Sequence, residues 1–459
     1  MSSSADKAST KPRPTIKAVR GTRDLLPDQT PLWNHVESTA RAVFSRYGFG
    51  EIRTPVFEDT SLFSRSVGEE TDIVSKEMFT WEDRARAASE KAQSLTLRPE
   101  STAGVVRAYI EHKLGETGAL QKLYYIGPQF RRERPQRGRY RQFWQIGAEI
   151  IGPPSSGSES PLRDAEVLEM LAAYLNELGI TNWTLQLNSV GSAEDRARYN
   201  AALREALAPI KDKLTPDNQR RAETNPLRVL DSKDEQDQAL IAALPKIADF
   251  LSPDSRAHFD AVLAALDACS VPYTLNPRLV RGLDYYTRTT FEFTVPSGDA
   301  SGLGTQNAIL GGGRYDGLSE MLGGPRAPGI GFAIGEDRLI LTLQAQHDSQ
   351  STTEPGAPRP ASGTWADTKL DAYIAPLSPA QNPAALALAR DLRASGLSVE
   401  VGDGTFKLHK SFDIADTLAR RIILLGEDEV ATNTLTVKTF ATGEQNKVER
   451  ASLVSVLQK

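Results

Sequence analysis

The strongest constraint on the fold lies between Lys122 and Gly152, KLYYIGPQFRRERPQRGRYRQFWQIGAEIIG. Two strand-like flanks, Leu123 to Phe130 and Arg141 to Ile151, enclose a charged loop, with six arginines between Arg131 and Arg141. Side chains in a strand alternate between faces. Gln129, Arg131 and Glu133 therefore share one face of the first strand. On the second, Phe143, Gln145, Gly147 and Glu149 share a face, and Trp144, Ile146, Ala148 and Ile150 share the other. The apolar set should meet a core. The polar set puts an amide and a carboxylate on a floor with a glycine between them, which leaves room for a small polar ligand. An arbitrary Arg-rich loop is best read as a solvated hairpin. Here Gln145 and Glu149 lie mid-strand, where unpaired polar groups are costly if buried, and guanidinium groups suit bidentate contact with phosphate oxygens.

A chain of 459 residues leads us to expect two to four domains. A net charge of −5 does not mark the whole chain as a nucleic-acid binder, so any basic patch must be local. Residues 1–14, Ser/Lys/Pro-rich without an apolar core, read as a flexible tail rather than a secretory signal. From residue 15 to 343 the pattern is mixed. Helices are expected over Pro31–Tyr47 and Asp164–Leu178, strands over Trp183–Leu187 and Arg288–Val295, and a strand passing into a helix over Gly331–Gln344. Residues 193–268 read as a charged helical insertion broken by Pro209, Pro216, Pro226, Pro245 and Pro253. Residues 344–368, polar and rich in Pro, Gly and Ser, read as a linker. Beyond it, from 369 to 459, strands (Ala372–Pro376, Ser398–Val401, Arg421–Leu425, Thr434–Phe440) alternate with helices (Pro383–Ser395, Ile414–Arg420, Glu449–Leu457). That alternation implies a small α/β domain with a mostly parallel, mixed sheet.

Several chemistries are excluded. No G-x-x-x-x-G-K-[ST] loop is present, and the glycines at 311–313 and 329–335 do not fit G-x-G-x-x-G. The five histidines are scattered and none sits in H-E-x-x-H, so no metal site is expected. A lone cysteine, Cys269, makes neither an internal disulfide nor a Cys-rich zinc site. No apolar run reaches the roughly 18 residues of a membrane span. A cytoplasmic protein follows. Any nucleotide it handles must be held by arginines rather than by a glycine loop.

The hairpin resembles motif 2 of the class II aminoacyl-tRNA synthetases in their histidyl form. Other segments agree in order. IKAVRGTRDLLP (Ile16–Pro27) is similar to the histidyl N-terminus, and IRTPVFEDTSLFSRSVGEETDIVS (Ile52–Ser75) resembles motif 1, which builds the dimer interface. LRPESTAGVVR (Leu97–Arg107) resembles the amino-acid-binding loop. LVRGLDYY (Leu279–Tyr286) and GGGRYDGL (Gly311–Leu318) resemble the histidine-specific motifs, and GFAIGEDRL (Gly331–Leu339) resembles motif 3. The implied fold is an α+β catalytic domain on an antiparallel sheet with a helical insertion, plus a C-terminal α/β anticodon-binding domain. The implied activity is ATP-dependent attachment of L-histidine to tRNA-His through a histidyl-adenylate. The alternative is a non-catalytic relative, the regulatory subunit of histidine biosynthesis.

The resemblance implies roles for individual residues. Arg131, Arg281 and Arg338 are the catalytic set, with Arg131 and Arg281 on opposite sides of the α-phosphate. ATP, accompanied by Mg2+, is held by Arg131, Glu133, Arg139 and Arg338. Histidine is held by Glu100, Ser101, Thr102, Arg131, Gln145, Glu149, Arg281, Tyr285, Tyr286 and Tyr315. Glu100 and Thr102 take the α-ammonium, and Glu149 and Tyr286 each take one ring nitrogen. Arg134, Gln136 and Arg137 face the tRNA acceptor end, with Gln136 placed to read the extra 5′ guanosine. A homodimer is implied by motif 1. The sequence departs from the pattern at Asp337, where Glu is common, over Gly402–Asp416, where the match is looser, and in the length of the linker.

Overall fold

The computed structural model describes residues 15–68, 71, 73–83, 92–232, 234–280, 283, 285–296, 298, 303, 307–351 and 369–458. The expected 1–14 tail, Arg281 and residues 352–368 of the expected linker lie outside them. The chain divides into two compact units, Met1–Gly363 and Thr364–Lys459.

The first unit contains eleven named strands among the described residues: β1 (Gly50–Glu51), β2 (Phe57–Asp59), β3 (Phe79–Asp83), β4 (Gln93–Leu97), β5 (Gln121–Phe130), β6 (Gln142–Ile151), β7 (Thr184–Ser189), β8 (Tyr273–Leu275), β9 (Thr287–Thr294), β10 (Ala308–Arg314) and β11 (Gly329–Gly335). Eight of them form one sheet in the order β1-β5-β6-β11-β10-β9-β7-β8. The interior pairings are antiparallel, and only the outermost strands, β1 and β8, pair parallel to their neighbours. The hairpin is the longest pairing, running from Gln121↔Ile151 to Phe130↔Gln142.

The alternation in β6 comes from what covers each face. The helix Thr30–Arg46 begins at a proline in its first turn and buries Leu32, Trp33, Val36, Ala40, Val43 and Phe44 at helical spacing. The Phe44 ring meets Tyr124, Tyr174 and Phe332 at 5.7, 5.7 and 5.8 Å. Trp33 meets Trp144 edge-on at 5.7 Å. This helix and Pro161–Glu177 therefore receive Trp144, Ile146, Ala148 and Ile150, and the opposite face of β6 is left for the site. A second, three-stranded sheet, β2-β4-β3, was not expected. Its strands are short, and β2 and β3 are largely exposed, so they leave no alternating signal in the sequence.

Residues 193–268 are helical and carry their own apolar core, including Tyr199, Leu203, Leu207, Val229 and Ile241. Pro216, Pro226 and Pro253, read as breaks, lie in the first turns of new helices, where a missing N–H costs nothing. The helix that follows β11 runs from Glu336 to Ser351. Eight residues of the stretch read as linker, 344–351, are thus helical, since the first proline beyond them is Pro355. No helix of the described residues is long and apolar enough to cross a membrane.

The second unit is a five-stranded sheet, β13-β12-β14-β15-β16, with strands at Ala372–Pro376 (β12), Val399–Val401 (β13), Arg421–Leu425 (β14), Thr434–Thr439 (β15) and Gln445–Glu449 (β16). Two pairings are parallel and two antiparallel, so the sheet is mixed rather than mostly parallel. Two helices differ from expectation. The one expected over Ile414–Arg420 begins at Leu408 and ends at Leu418, and the expected terminal helix over Glu449–Leu457 is a 3-10 turn over Arg450–Ser452 running into an α-helix over Leu453–Leu457, with Glu449 taken by β16.

One buried ion pair ties the first unit together. Arg314, at the end of β10, is fully buried. It donates from Nε to both oxygens of Asp164 (3.0 and 3.2 Å), and from Nη1 to Ser158 O (2.9 Å) and Asp316 Oδ1 (2.8 Å). Burial works to raise the Asp164 carboxyl, but Arg314 beside it holds it at about 2. Arg314→Met strands the buried Asp164 carboxylate and takes a partner from the half-buried Asp316, and the expected cost is about 3–5 kcal/mol. Breaking the exposed Arg326–Glu159 pair by Arg326→Ala costs under about 1 kcal/mol. Denaturant midpoints of the two variants check the contrast, and equal shifts would contradict it.

Candidate active site

The uncovered face of β6 floors a cleft of about 1110 Å³, open solvent at its mouth included. It is lined by Glu100, Thr102, Arg131, Glu133, Arg139, Gln145, Glu149, Tyr285, Tyr286, Tyr315 and Arg338, which are most of the residues singled out in the sequence. They come from six separate segments, which only the antiparallel order β5-β6-β11-β10-β9 brings together.

At one end lies a buried carboxyl cluster. Glu149 is fully buried, and its Oε1 accepts from Thr102 Oγ1 at 2.6 Å. Its Oε2 has no hydrogen-bond partner among the described residues, and the same holds for Gln145 Oε1. Buried groups left open in this way call for a ligand or a proton. Burial, with Glu100 nearby, pushes the Glu149 carboxyl up to about 8 against the Thr102 hydrogen bond. Glycine is required opposite it: a Cβ at Gly331, the β11 partner of Glu149, would strike the carboxylate. Glu100 lies two residues before the helix Thr102–Glu111 and accepts from its first backbone N–H groups, those of Thr102 (Oε2, 2.7 Å) and Ala103 (Oε1, 3.0 Å). Burial raises its carboxyl as well. Each of its oxygens keeps a second lone pair for an ammonium. Tyr285, Tyr286 and Tyr315 close this end, with ring centroids 4.9 Å (285–286) and 6.0 Å (285–315) apart.

At the other end are the guanidinium groups. Arg131 donates from Nε to Pro99 O at 2.9 Å and lies 5.3 Å from the Phe143 ring centroid. Arg139 pairs with Glu133 at 3.2 Å. Arg338 donates to Ala308 O at 2.9 Å. Burial, and then the Arg139 charge, push Arg338 down to about 10, so it stays charged at neutral pH in surroundings that favour an incoming anion.

Two expectations are corrected. Ser101 does not line the cleft: it is buried behind it, and its Oγ accepts from Gln129 Nε2 at 2.6 Å. Gln129 is correspondingly a buried support, not part of the floor. The room expected beside Gly147 is taken by the Tyr125 hydroxyl from the neighbouring strand. Arg134, Gln136 and Arg137 are exposed on the hairpin loop, outside the cleft. Phe143 lines the cleft as its place on the β6 face implied, while sequence reasoning missed Tyr125 and Glu292 as lining residues. Tyr125 was legible, since it lies directly across β5–β6 from Gly147. Asp337, the departure in motif 3, accepts from Arg23 Nη2 (2.7 Å) and from the Trp144 backbone N–H (3.1 Å). It thereby anchors the N-terminal segment to β6. Among the described residues no group of three or more His, Cys, Asp or Glu side chains converges to hold a metal ion.

An antiparallel sheet carrying an arginine hairpin, with a phosphate-ready end and an amino-acid-sized end in one cleft, is that of a class II aminoacyl-tRNA synthetase. A family model described as histidyl-tRNA synthetase matches residues 21–339, and one described as anticodon binding domain matches 371–459. Relatives named histidine--tRNA ligase include one from Koribacter versatilis, 64% identical over 95% of each chain. Another, from Solibacter usitatus, is 51% identical over 96% of this chain and 99% of its own. The crystal structure of apo histidyl-tRNA synthetase from S. aureus superposes with a TM-score of 0.75 at 36% identity, over 97% of this chain and all of that one. The chain belongs to the histidyl-tRNA synthetase family.

The raised Glu149 value gives a signed expectation. Because the folded value exceeds the unfolded one, the associated stability is complete below the ordinary carboxyl range and is lost as pH rises through about 8. Relative to Glu149→Gln, which cannot ionise, the unmutated chain should lose on the order of 1 kcal/mol per pH unit between the ordinary carboxyl range and about 8, and the difference should level off above that point. Denaturant unfolding at pH 5, 6, 7 and 9 measures this, and curves for the two chains that stay parallel from pH 5 to 7 would refute it.

Proposed function

We propose that this chain charges tRNA-His with L-histidine in two steps. The histidine carboxylate attacks the α-phosphate of ATP to give histidyl-adenylate and pyrophosphate, and the terminal ribose hydroxyl of the tRNA then attacks the adenylate carbonyl. The observation that carries the reading is one cleft with Arg131, Arg139 and Arg338 at one end and the buried Glu149 with Tyr286 at the other. Arg131 takes the α-phosphate and the amino-acid carboxylate, with Arg281 opposite it on the strength of the resemblance of LVRGLDYY alone. Arg139 and Arg338 take the outer phosphates, and Glu133 lies toward the adenine. The work is positioning and neutralisation of charge that grows on the phosphate. Mg2+ arrives with the nucleotide, which supplies the phosphate oxygens such an ion prefers.

Glu100 and Thr102 hold the α-ammonium with Gln145 beside them, and Glu149 and Tyr286 each hold one ring nitrogen. A ring with one donor and one acceptor nitrogen fits such a pair, and a site built on these bonds rejects apolar analogues by roughly 10⁴-fold or more. Arg134, Gln136 and Arg137 meet the acceptor end, with Gln136 at the extra 5′ guanosine. The presence of Arg131, Arg338 and the second unit supports the enzyme over the regulatory relative. The protein acts in the cytoplasm as a homodimer. The face for the partner is the sheet β2-β4-β3, where Phe57 and Trp81 are 52% and 41% exposed with rings 6.1 Å apart. Exposed aromatic clusters of this kind mark interfaces.

ATP–pyrophosphate exchange tested with all twenty amino acids should respond to histidine alone. Exchange driven by another amino acid, or none at all, overturns the reading. Arg281→Ala should cut the exchange rate by about 10²–10³-fold, the scale of losing one charge-stabilising donor, with circular dichroism unchanged. Trp81→Glu should shift sedimentation from dimer to monomer, and an unaltered dimer would rule out this face.

A further inference from the structure

The two tyrosines at the imidazole end, Tyr286 just before β9 and Tyr315 just after β10, flank strands that do not pair regularly. Between β9 and β10 the register jumps from Gly313↔Thr290 to Arg314↔Thr287, so Arg288 and Thr289 are extra residues in a β-bulge. Bulges bend a strand and re-aim the side chains beside them. At this one Arg288 takes φ +50°, which costs a non-glycine residue on the order of 1–3 kcal/mol unless its surroundings hold it. Its backbone is held by Arg288 N→Gly191 O and Val190 N→Arg288 O, both 2.7 Å. Its side chain reaches two groups: Asp316 Oδ2, 3.9 Å from Nε, and His258 Nδ1, 3.3 Å from Nη1. The bulge also meets the other tyrosine's segment directly, because the Asp316 N–H donates to Thr287 Oγ1 at 3.2 Å.

His258 comes from the helical insertion, on the helix Pro253–Ala268, and is buried. A guanidinium only donates, so His258 Nδ1 must accept and carries no proton. The ring proton then sits on Nε2, 2.9 Å from Asp164 Oδ2. Asp164 is in turn gripped by Arg314, the residue before Tyr315. One neutral imidazole thus joins the insertion to the bulge through one nitrogen and to the buried ion pair through the other.

We propose that His258 is a positioning residue for histidine binding: through its Nδ1 contact with Arg288, the helical insertion fixes the bulge that aims Tyr286 and Tyr315 into the cleft. The inference rests on the placement of the imidazole between Glu149 and Tyr286 proposed above. His258 touches neither substrate, so its loss acts on histidine affinity and leaves the guanidinium end of the cleft alone.

The test is the KM for histidine and for ATP in pyrophosphate exchange by the full chain. His258→Asn places an amide oxygen where Nδ1 stands and keeps the acceptor for Arg288. His258→Gln reaches the Nε2 position and keeps donation to Asp164. The asparagine variant should retain a near-normal histidine KM. The glutamine variant should raise it about tenfold, the effect of losing one hydrogen bond to a charged group, with the ATP KM unchanged. A purely structural role predicts the reverse order, since glutamine preserves the bond to the buried ion pair. The reverse order, equal values or no change would each overturn the proposal. If neither variant folds, Arg288→Gly decides: glycine suits the backbone at φ +50° and removes the guanidinium, so a histidine-specific rise in KM supports the proposal and an unchanged KM ends it. Glu149→Gln separates the two readings. An unchanged histidine KM there sinks the imidazole placement itself, whereas a raised one beside flat His258 and Arg288 series sinks only the role of His258.

Discussion

The ten-residue antiparallel pairing of β5 with β6 imposes one constraint that the rest of the catalytic unit obeys: with a period of two, β6 cannot serve a core without offering an opposite face to something else. The helices at Thr30 and Pro161 satisfy Trp144, Ile146, Ala148 and Ile150. That packing alone turns Phe143, Gln145 and Glu149 toward the cleft. A one-residue slip would send the carboxylate into the aromatic cluster around Phe44 and the isoleucines into the site. Register, core and site are therefore a single fact about this hairpin.

Buried charge in the unit comes in two kinds, and the contrast separates scaffold from chemistry. Arg314 is enclosed by Asp164, Asp316 and two carbonyls, and its surroundings favour the cation. Arg338 is buried beside another arginine, and its surroundings disfavour the cation. The first arrangement is complete as it stands, while the second gains from an incoming anion. Glu149 belongs with Arg338: its burial disfavours the charge, and one of its oxygens is left open by the described residues. A fold that spends stability on such groups does so where a ligand meets them.

The two segments that resemble the histidine-specific motifs depend on each other for the same reason. LVRGLDYY and GGGRYDGL read in the sequence as separate motifs, yet the Tyr285 and Tyr315 rings meet edge-on and their flanking residues, Thr287 with Asp316 and Arg288 with Asp316, interlock at the β9–β10 bulge. Asp337 is another case. As a departure in a motif it reads as a doubtful position, and in the fold it holds Arg23 and the start of β6.

Legible in the sequence alone were the hairpin, the faces of its second strand, the helices read over Pro31–Tyr47 and Asp164–Leu178 and found at Thr30–Arg46 and Pro161–Glu177, the helical insertion and the alternating second unit. Each of these rests on local periodicity or turn chemistry, which neighbouring residues carry. The sequence also named eleven of the residues that line the cleft, among them most of its charged groups. Long-range packing settled that Ser101 turns to Gln129, that Tyr125 fills the space at Gly147, that 344–351 continues a helix, and that an insertion histidine reaches the bulge beside Tyr286. Those outcomes depend on which distant strand or helix lies opposite, and a pairing between residues far apart in the chain leaves no trace in the period of either segment.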